Sequence, residues 1–391
     1  MARSGSAAGP RRVLVVLCAT EIISWGILYY AFPVLLPTIG ERTGWSHAAI
    51  TAGFSAGQVV AGLAGIPVGR LLDRHGPRAI MTTGSVVAVL ALVVLATAES
   101  LVWFVAAWLL AGVAMAGVFY APAFAALTRW YGERRVPALT ALTLVAGLAS
   151  TVFAPLTAVL NEHLDWRATY LALAGFLAVT TIPLHLFGLR APWPAAGHET
   201  VHTPSAVARS RPFLVLVVSM GLAAFSVYAV VINLVPLLTE RGMTTSAAAV
   251  ALGLGGVGQV LGRLGYGRLS ARTTVRTRTL LVLLAGAFVT TLLGAVPGPA
   301  LLLIAGSVLA GVTRGIFTLV TATAITDRWG SVHYGQLNGL LTAPIMVMSA
   351  IAPWAGSALA VALGGYPAVF AVLGAIGVLA AALSTAGVPR R

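Results

Sequence analysis

The most constraining feature of this 391-residue chain is that its second half repeats its first at a spacing of about 200 residues. Glu41-Arg42 returns as Glu240-Arg241, Gly57-Gln58-Val59 as Gly258-Gln259-Val260, and Gly69-Arg70-Leu71 as Gly267-Arg268-Leu269. Gly112-Val113 matches Gly311-Val312, Trp130 matches Trp329, and Ala154-Pro155 matches Ala352-Pro353. The run Asp165-Trp166-Arg167-Ala168-Thr169-Tyr170 is echoed by Gly365-Tyr366-Pro367-Ala368-Val369-Phe370. The period is too long for a stacked solenoid, so the chain folds as two similar halves.

What those halves fold in follows from charge. Only 9% of the residues are charged and 59% are hydrophobic, with a mean hydropathy of +0.95. A water-soluble globular chain carries about 25% charged residues, too many more for this one to cover a wet surface. Twelve apolar stretches stand out, near 13–39, 47–72, 79–98, 101–129, 138–161, 168–189, 213–239, 246–270, 279–296, 299–325, 336–362 and 367–388. Each comes close to the roughly 20 residues a helix needs to cross hydrocarbon. They are continuous rather than alternating, which argues against strands, and helices satisfy their own backbone in lipid. The expected fold is therefore all-α integral membrane: twelve transmembrane helices in two pseudo-symmetric six-helix bundles, 1–189 and 213–391, joined by a polar linker at 190–212. Duplicated membrane halves are how secondary transporters build two bundles that rock about a central site.

The arginines orient this plan. All 24 basic residues are arginine. Arg42, Arg167 and Arg241 fall in loops on one side, Arg263 and Arg314 fall within apolar stretches, and all the others lie at the opposite side or in the tails. The positive-inside rule makes that second side cytoplasmic, with both termini there. Arginines that bracket apolar runs, without interleaved aromatics, do not make a nucleic-acid face. Arg11-Arg12 before an apolar run resembles the start of a signal peptide, but the run continues too far and lacks a cleavage site; it reads as a retained first helix. The single Cys18 excludes an internal disulfide and supplies no metal cluster, and no cofactor is expected.

The loop after the second stretch reads Gly69-Arg70-Leu71-Leu72-Asp73-Arg74-His75-Gly76-Pro77-Arg78. This resembles the signature loop of the major facilitator superfamily, G-x-L-x-D-R-x-G-R-[RK], and the resemblance extends over the whole chain through helix number, repeat and linker. It implies a gating loop formed by Gly69, Arg70, Asp73, Arg74 and Arg78, in which Asp73, near cytoplasmic helix ends, can pair with arginines and hold one closed state. Ala271 stands at the matching place in the second half, so the gate is expected to be asymmetric. A narrower resemblance is to monocarboxylate porters and their oxalate/formate-type bacterial relatives. Tyr30-Ala31-Phe32-Pro33 looks like their Y-A-F-P stretch, Arg263-x-x-x-Gly267 like the R-x-x-x-G whose arginine engages a carboxylate, and Thr326-Asp327 through Gly335-Gln336-Leu337-Asn338-Gly339-Leu340 also runs like theirs. Val34 departs from the lysine of animal members, and Gln259 from their aspartate one turn before the arginine.

Ionisable side chains inside a membrane are costly and face a cavity or a partner. Arg314 lies thirteen residues before Asp327, about 20 Å along a helix; its guanidinium can hold a carboxylate bidentately or serve a structural pair. Glu21 lies nine residues past Arg12, about 13 Å into the first helix. Two readings stay open for it: a proton carrier, or a static partner of Arg314 or Arg263. Arg263 is only five residues from Arg268, so contact with substrate competes with snorkelling to the surface. Gln259, one turn deeper, offers an uncharged donor and acceptor. Tyr29, Tyr30, Tyr120 and Asn233 fall in the first, fourth and seventh helices, which line the cavity in the superfamily that the loop resembles. His185, near a helix end, is expected at the interface.

The expected function is proton-coupled transport of a small, monocarboxylate-like organic anion across the cell's inner (plasma) membrane. The partners are that small molecule, protons and the lipid bilayer, and the resemblance implies a monomer. The alternative is efflux of amphipathic drugs or metabolites, for which Gly147 and Ala154-Pro155 in the fifth stretch offer a weak likeness to an antiporter motif. A membrane enzyme would need clustered His, Asp or Cys at one depth, or a motif such as H-E-x-x-H, and none occurs.

Overall fold

The computed structural model describes residues 8–194 and 203–389. Arg3, Arg390, Arg391 and the middle of the linker lie outside these. Within them every regular element is helical. We number the twelve long helices in chain order. α1 comprises Ala8–Trp25, a π-helical turn Gly26–Tyr30, and Ala31–Thr43; α2 is His47–His75 and α3 Pro77–Ala96. α4 comprises Leu101–Val118 and Tyr120–Tyr131, α5 Arg135–Ala146 and Ala149–His163, and α6 is Trp166–Gly188. In the second half α7 is Arg211–Glu240, α8 Thr245–Arg272, α9 Val275–Ala295, α10 Ala300–Thr323, α11 Tyr334–Leu363 and α12 Tyr366–Ser384. Short helices at Gly132–Arg134, at Pro204–Arg209 inside the linker, and at Thr326–Trp329 complete the regular elements of the described residues. Apolar side chains cover the outer surface, Val361 88% exposed and Val102 80%, and only lipid can bury them.

Three helices expected to be continuous are broken, two of them next to prolines. Pro33 has no N–H to return to the Tyr29 carbonyl, and its ring crowds that turn. The chain answers with a π turn, in which the Ala31 N–H reaches back five residues to the Gly26 carbonyl. In α4, Pro122 likewise leaves the Val118 carbonyl without its donor, and Phe119 swings out to an extended conformation. α5 breaks at Gly147-Leu148.

The residues cluster into two compact units, 1–200 with 331–343, and 201–330 with 344–391. The first ten residues of α11, expected with the second half, thus belong to the first unit. Glycines explain why: Gly69 lies against the Gly335 carbonyl and Gly339 against that of Gly65. Equivalent pairs of helices pack along one another in the two units, α2 with α4 and α3 with α6 in the first, α8 with α10 and α9 with α12 in the second. The repeated glycines lie at those crossings. A Cβ on Gly112 would fall on the Gly57 carbonyl, and one on Gly311 on the Gly255 carbonyl. Such backbone-to-backbone contact is the usual means of close helix packing in lipid, where no hydrophobic effect drives helices together.

Helix ends show how the repeat diverged. Asp165 caps α6 by accepting the Ala168 N–H at 2.7 Å. The echo of that run in the second half begins with Gly365, and there Glu240, from the end of α7, accepts the Tyr366 N–H at 2.9 Å instead.

Gly311→Leu is expected to cost the second unit about 3 kcal/mol by overpacking, seen as a lower unfolding midpoint in detergent. Gly265→Ala, whose new Cβ meets nothing within 4 Å, should leave the midpoint unchanged.

Candidate functional site

In the first unit the buried Glu21 sits four residues before Trp25 on α1, so the two side chains share a face. The Trp25 indole donates to Glu21 Oε2 at 3.0 Å. Oε1 has no hydrogen-bond partner, a position where a proton can be placed without displacing a bond. Trp25 in turn stacks on Phe119, at the break in α4, with centroids 4.1 Å apart and planes 11° from parallel. It also meets Tyr29 at 5.4 Å and Tyr120 at 5.0 Å. Tyr29 contacts Tyr30 edge-on at 5.2 Å, and Tyr120 stacks on Phe124. The three tyrosines singled out in the sequence are therefore one aromatic cluster, and Trp25 joins it to the carboxyl. The breaks in α1 and α4 serve this arrangement by turning Tyr29, Tyr30, Phe119 and Tyr120 together.

In the second unit Arg314 Nη2 donates to Gln259 Oε1 at 2.7 Å. A neutral amide leaves the guanidinium's charge uncompensated and its other N–H groups available, which a carboxylate partner would not. Arg314 also lines a partly open cavity of about 50 Å³ between α7, α8, α9, α10 and α12. Arg263, one turn beyond Gln259, is buried at 3% exposure, so the snorkelling alternative fails. Asn233 is buried, but its amide is engaged with the Ala229 carbonyl at 2.8 Å and the Ser357 hydroxyl at 3.4 Å, and it does not line that cavity.

The signature loop departs from expectation. The Asp73 carboxylate accepts the backbone N–H groups of Gly335 at 2.9 Å and Gln336 at 2.8 Å. It caps the first turn of α11, where unpaired N–H groups and the helix dipole favour an anion. Arg70 and Arg74 are exposed, and Arg78 donates to the Leu186 carbonyl at 2.8 Å. Arg129 reaches Asp73 through its backbone oxygen at 3.1 Å while lying over the Trp193 ring. In the second unit an acid appears elsewhere: Asp327 pairs with Arg278. Beside it Arg328 donates to Thr279 Oγ1 at 3.0 Å and to the Gly387 carbonyl at 2.9 Å; burial pushes its guanidinium down to about 10, still charged at neutral pH. Asp73→Ala should remove about 1 to 2 kcal/mol of capping. Amide exchange at Gly335 and Gln336 is the readout, expected to speed up about tenfold.

His185, expected at the interface, is fully buried, with Nδ1 2.9 Å from the Ser85 hydroxyl and 3.1 Å from the Met81 carbonyl. Sequence reasoning passed over Trp25, Phe119 and Gln58. The spacing from Glu21 could have found Trp25. Gln58, buried with Nε2 lacking a partner, could have been found as the repeat of Gln259.

A family model described as Major Facilitator Superfamily matches residues 17–301 and 216–391. Monocarboxylate transporter 13 of Bos taurus is 27% identical over 330 residues, 82% of this chain and 68% of that protein. Monocarboxylate transporter 11 of Mus musculus is 30% identical over 325 residues, 80% of this chain and 66% of that protein. The crystal structure of the E. coli fucose:proton symporter FucP superposes with a TM-score of 0.73, covering 96% of this chain and 98% of that one. At 15% identity that likeness is of fold alone. With long apolar helices of membrane-crossing length among the described residues and a family match running from Leu17 to the last residue, this chain belongs to the Major Facilitator Superfamily and is a multi-pass membrane transporter.

Proposed function

We propose that this transporter moves a small monocarboxylate together with a proton, by alternating access, in the cell's plasma membrane with both termini cytoplasmic. The observation that carries the reading is Arg314, a membrane-embedded guanidinium whose partner is the neutral amide of Gln259. A cation held by a neutral group at the edge of an apolar cavity is a receptor for an anion. Bidentate binding of a carboxylate uses two parallel N–H groups of the guanidinium, leaving a further N–H for Gln259. Glu21, fully buried and with one oxygen unbonded, takes the proton, and Trp25 carries the change to Phe119 at the break in α4. The similarity to monocarboxylate transporters 11 and 13 supports the same substrate class.

Proton entry into proteoliposomes challenged with monocarboxylates, dicarboxylates and cationic dyes tests this. Acidification driven by monocarboxylates is the expected result. Dye movement with no response to any acid would defeat the reading in favour of efflux, for which the break and Pro155 in α5 speak.

A further inference from the structure

We infer that the hydrocarbon part of the carboxylate enters the cavity beside Arg314, so that the protein selects short aliphatic monocarboxylates, and that Gly286 sets the chain length it accepts. This rests on the carboxylate reading above and names the substrate within it. The cavity lies wholly inside the second unit, and its lining is mostly Gly, Ala, Val and Leu, with Phe317. Its hydroxyl protons are already spent. Ser226 donates to the Leu373 carbonyl at 3.0 Å, Thr290 to Gly286 at 2.8 Å, Ser307 to Leu303 at 2.8 Å and Thr313 to Ala310 at 2.9 Å. Of the residues lining it, Arg314 is thus the one that can still donate strongly, and no donor is left for a second carboxylate. Burying such a group without a partner is penalised, so dicarboxylates are disfavoured against plain alkyl acids.

Volume sets the length. About 50 Å³ is room for roughly three or four groups the size of a water molecule or a methylene. Gly286 on α9 opens the floor: a Cβ there would meet only Thr313, at 3.9 Å from Oγ1 and 4.0 Å from its Cβ. Side chains added at this position therefore occupy the cavity itself and do not strain the helix packing.

The test is competition for uptake into proteoliposomes by the unbranched series from acetate to hexanoate, with malonate alongside. In the wild type apparent affinity is expected to rise about fourfold per methylene up to butyrate, then level off, with malonate weaker than propionate. In Gly286→Val the butyrate-to-acetate affinity ratio is expected to fall about tenfold. Gly286→Ala, the smaller change, should give an intermediate ratio and guards against misfolding of the valine variant. A chain-length gradient identical in the wild type and both variants would overturn this inference alone. Failure of every carboxylate to compete or be transported, with another solute still moved, would overturn the carboxylate reading and this inference with it.

Discussion

Replacing Arg314 by glutamine is expected to lower carboxylate uptake about 100-fold. The shorter glutamine does not reach Gln259 Oε1, but the α8–α10 crossing rests on the backbone contacts of Gly311 and Gly315 and survives. What disappears is the charge and the planar fork that fits a carboxylate. Losing a desolvated charge partner costs roughly 2 to 5 kcal/mol, and about 2.7 kcal/mol corresponds to the 100-fold figure. Arg314→Lys restores the charge but not the fork, because an ammonium on this stem cannot bond Gln259 and two carboxylate oxygens in the same geometry; an intermediate loss of about tenfold follows. Initial rates of labelled propionate uptake, normalised to reconstituted protein, measure all three. Uptake by Arg314→Gln within a few-fold of wild type would mean that the guanidinium is a structural strut and the substrate binds elsewhere.

Glu21→Gln is expected to separate carboxylate movement from proton movement. The amide keeps an acceptor for the Trp25 indole and resembles the protonated acid in shape, so the aromatic cluster around Phe119 stays assembled. It can no longer load or release a proton. Uphill accumulation driven by an inward pH gradient should therefore vanish, while exchange of internal for external carboxylate persists within a few-fold of wild type. The pH dependence has a definite sign. At fixed internal pH, net wild-type uptake falls as the outside is made alkaline, since protons to load become scarce; Glu21→Gln exchange is flat across the same range. Trp25→Phe complements this by keeping a ring on Phe119 while removing the donor to Oε2, and it should shift the pH profile without abolishing coupling. Acidification that survives unchanged in Glu21→Gln would remove this residue from the proton path.

Much of the architecture was legible because it rests on period and solvent. Apolar runs of membrane length and a repeat of about 200 residues are properties of the chain itself, and they located all twelve helices to within a few residues. The helix breaks were legible in principle, since Pro33 and Pro122 each deprive a known carbonyl, but the form of the response is set by packing. The candidate residues were harder to place. Arg314 and Gln259 were both singled out, yet 55 residues separate them and only the α8–α10 crossing makes them partners. Asp73 went to the wrong partner because arginines crowd it in sequence, while the N–H groups that it binds lie 262 and 263 residues away. A backbone amide leaves no mark on a sequence. His185 was misplaced for a similar reason, its burial depending on Ser85 one helix over.

The glycine crossing between α8 and α10 bears on how substrate affinity is spent. Arg314 follows Gly311 by three residues and precedes Gly315 by one, and both glycines lie against backbone of α8, the latter against Gln259 itself. Main chain pressed on main chain has no rotamers to select and almost no slack. The depth and register of the guanidinium are thus settled when the helices fold, before any anion arrives. Ordering that must accompany binding is subtracted from affinity, and here little of it is left to do. Even a ligand of five or six heavy atoms can then be held usefully by one ionic contact and a few buried methylenes.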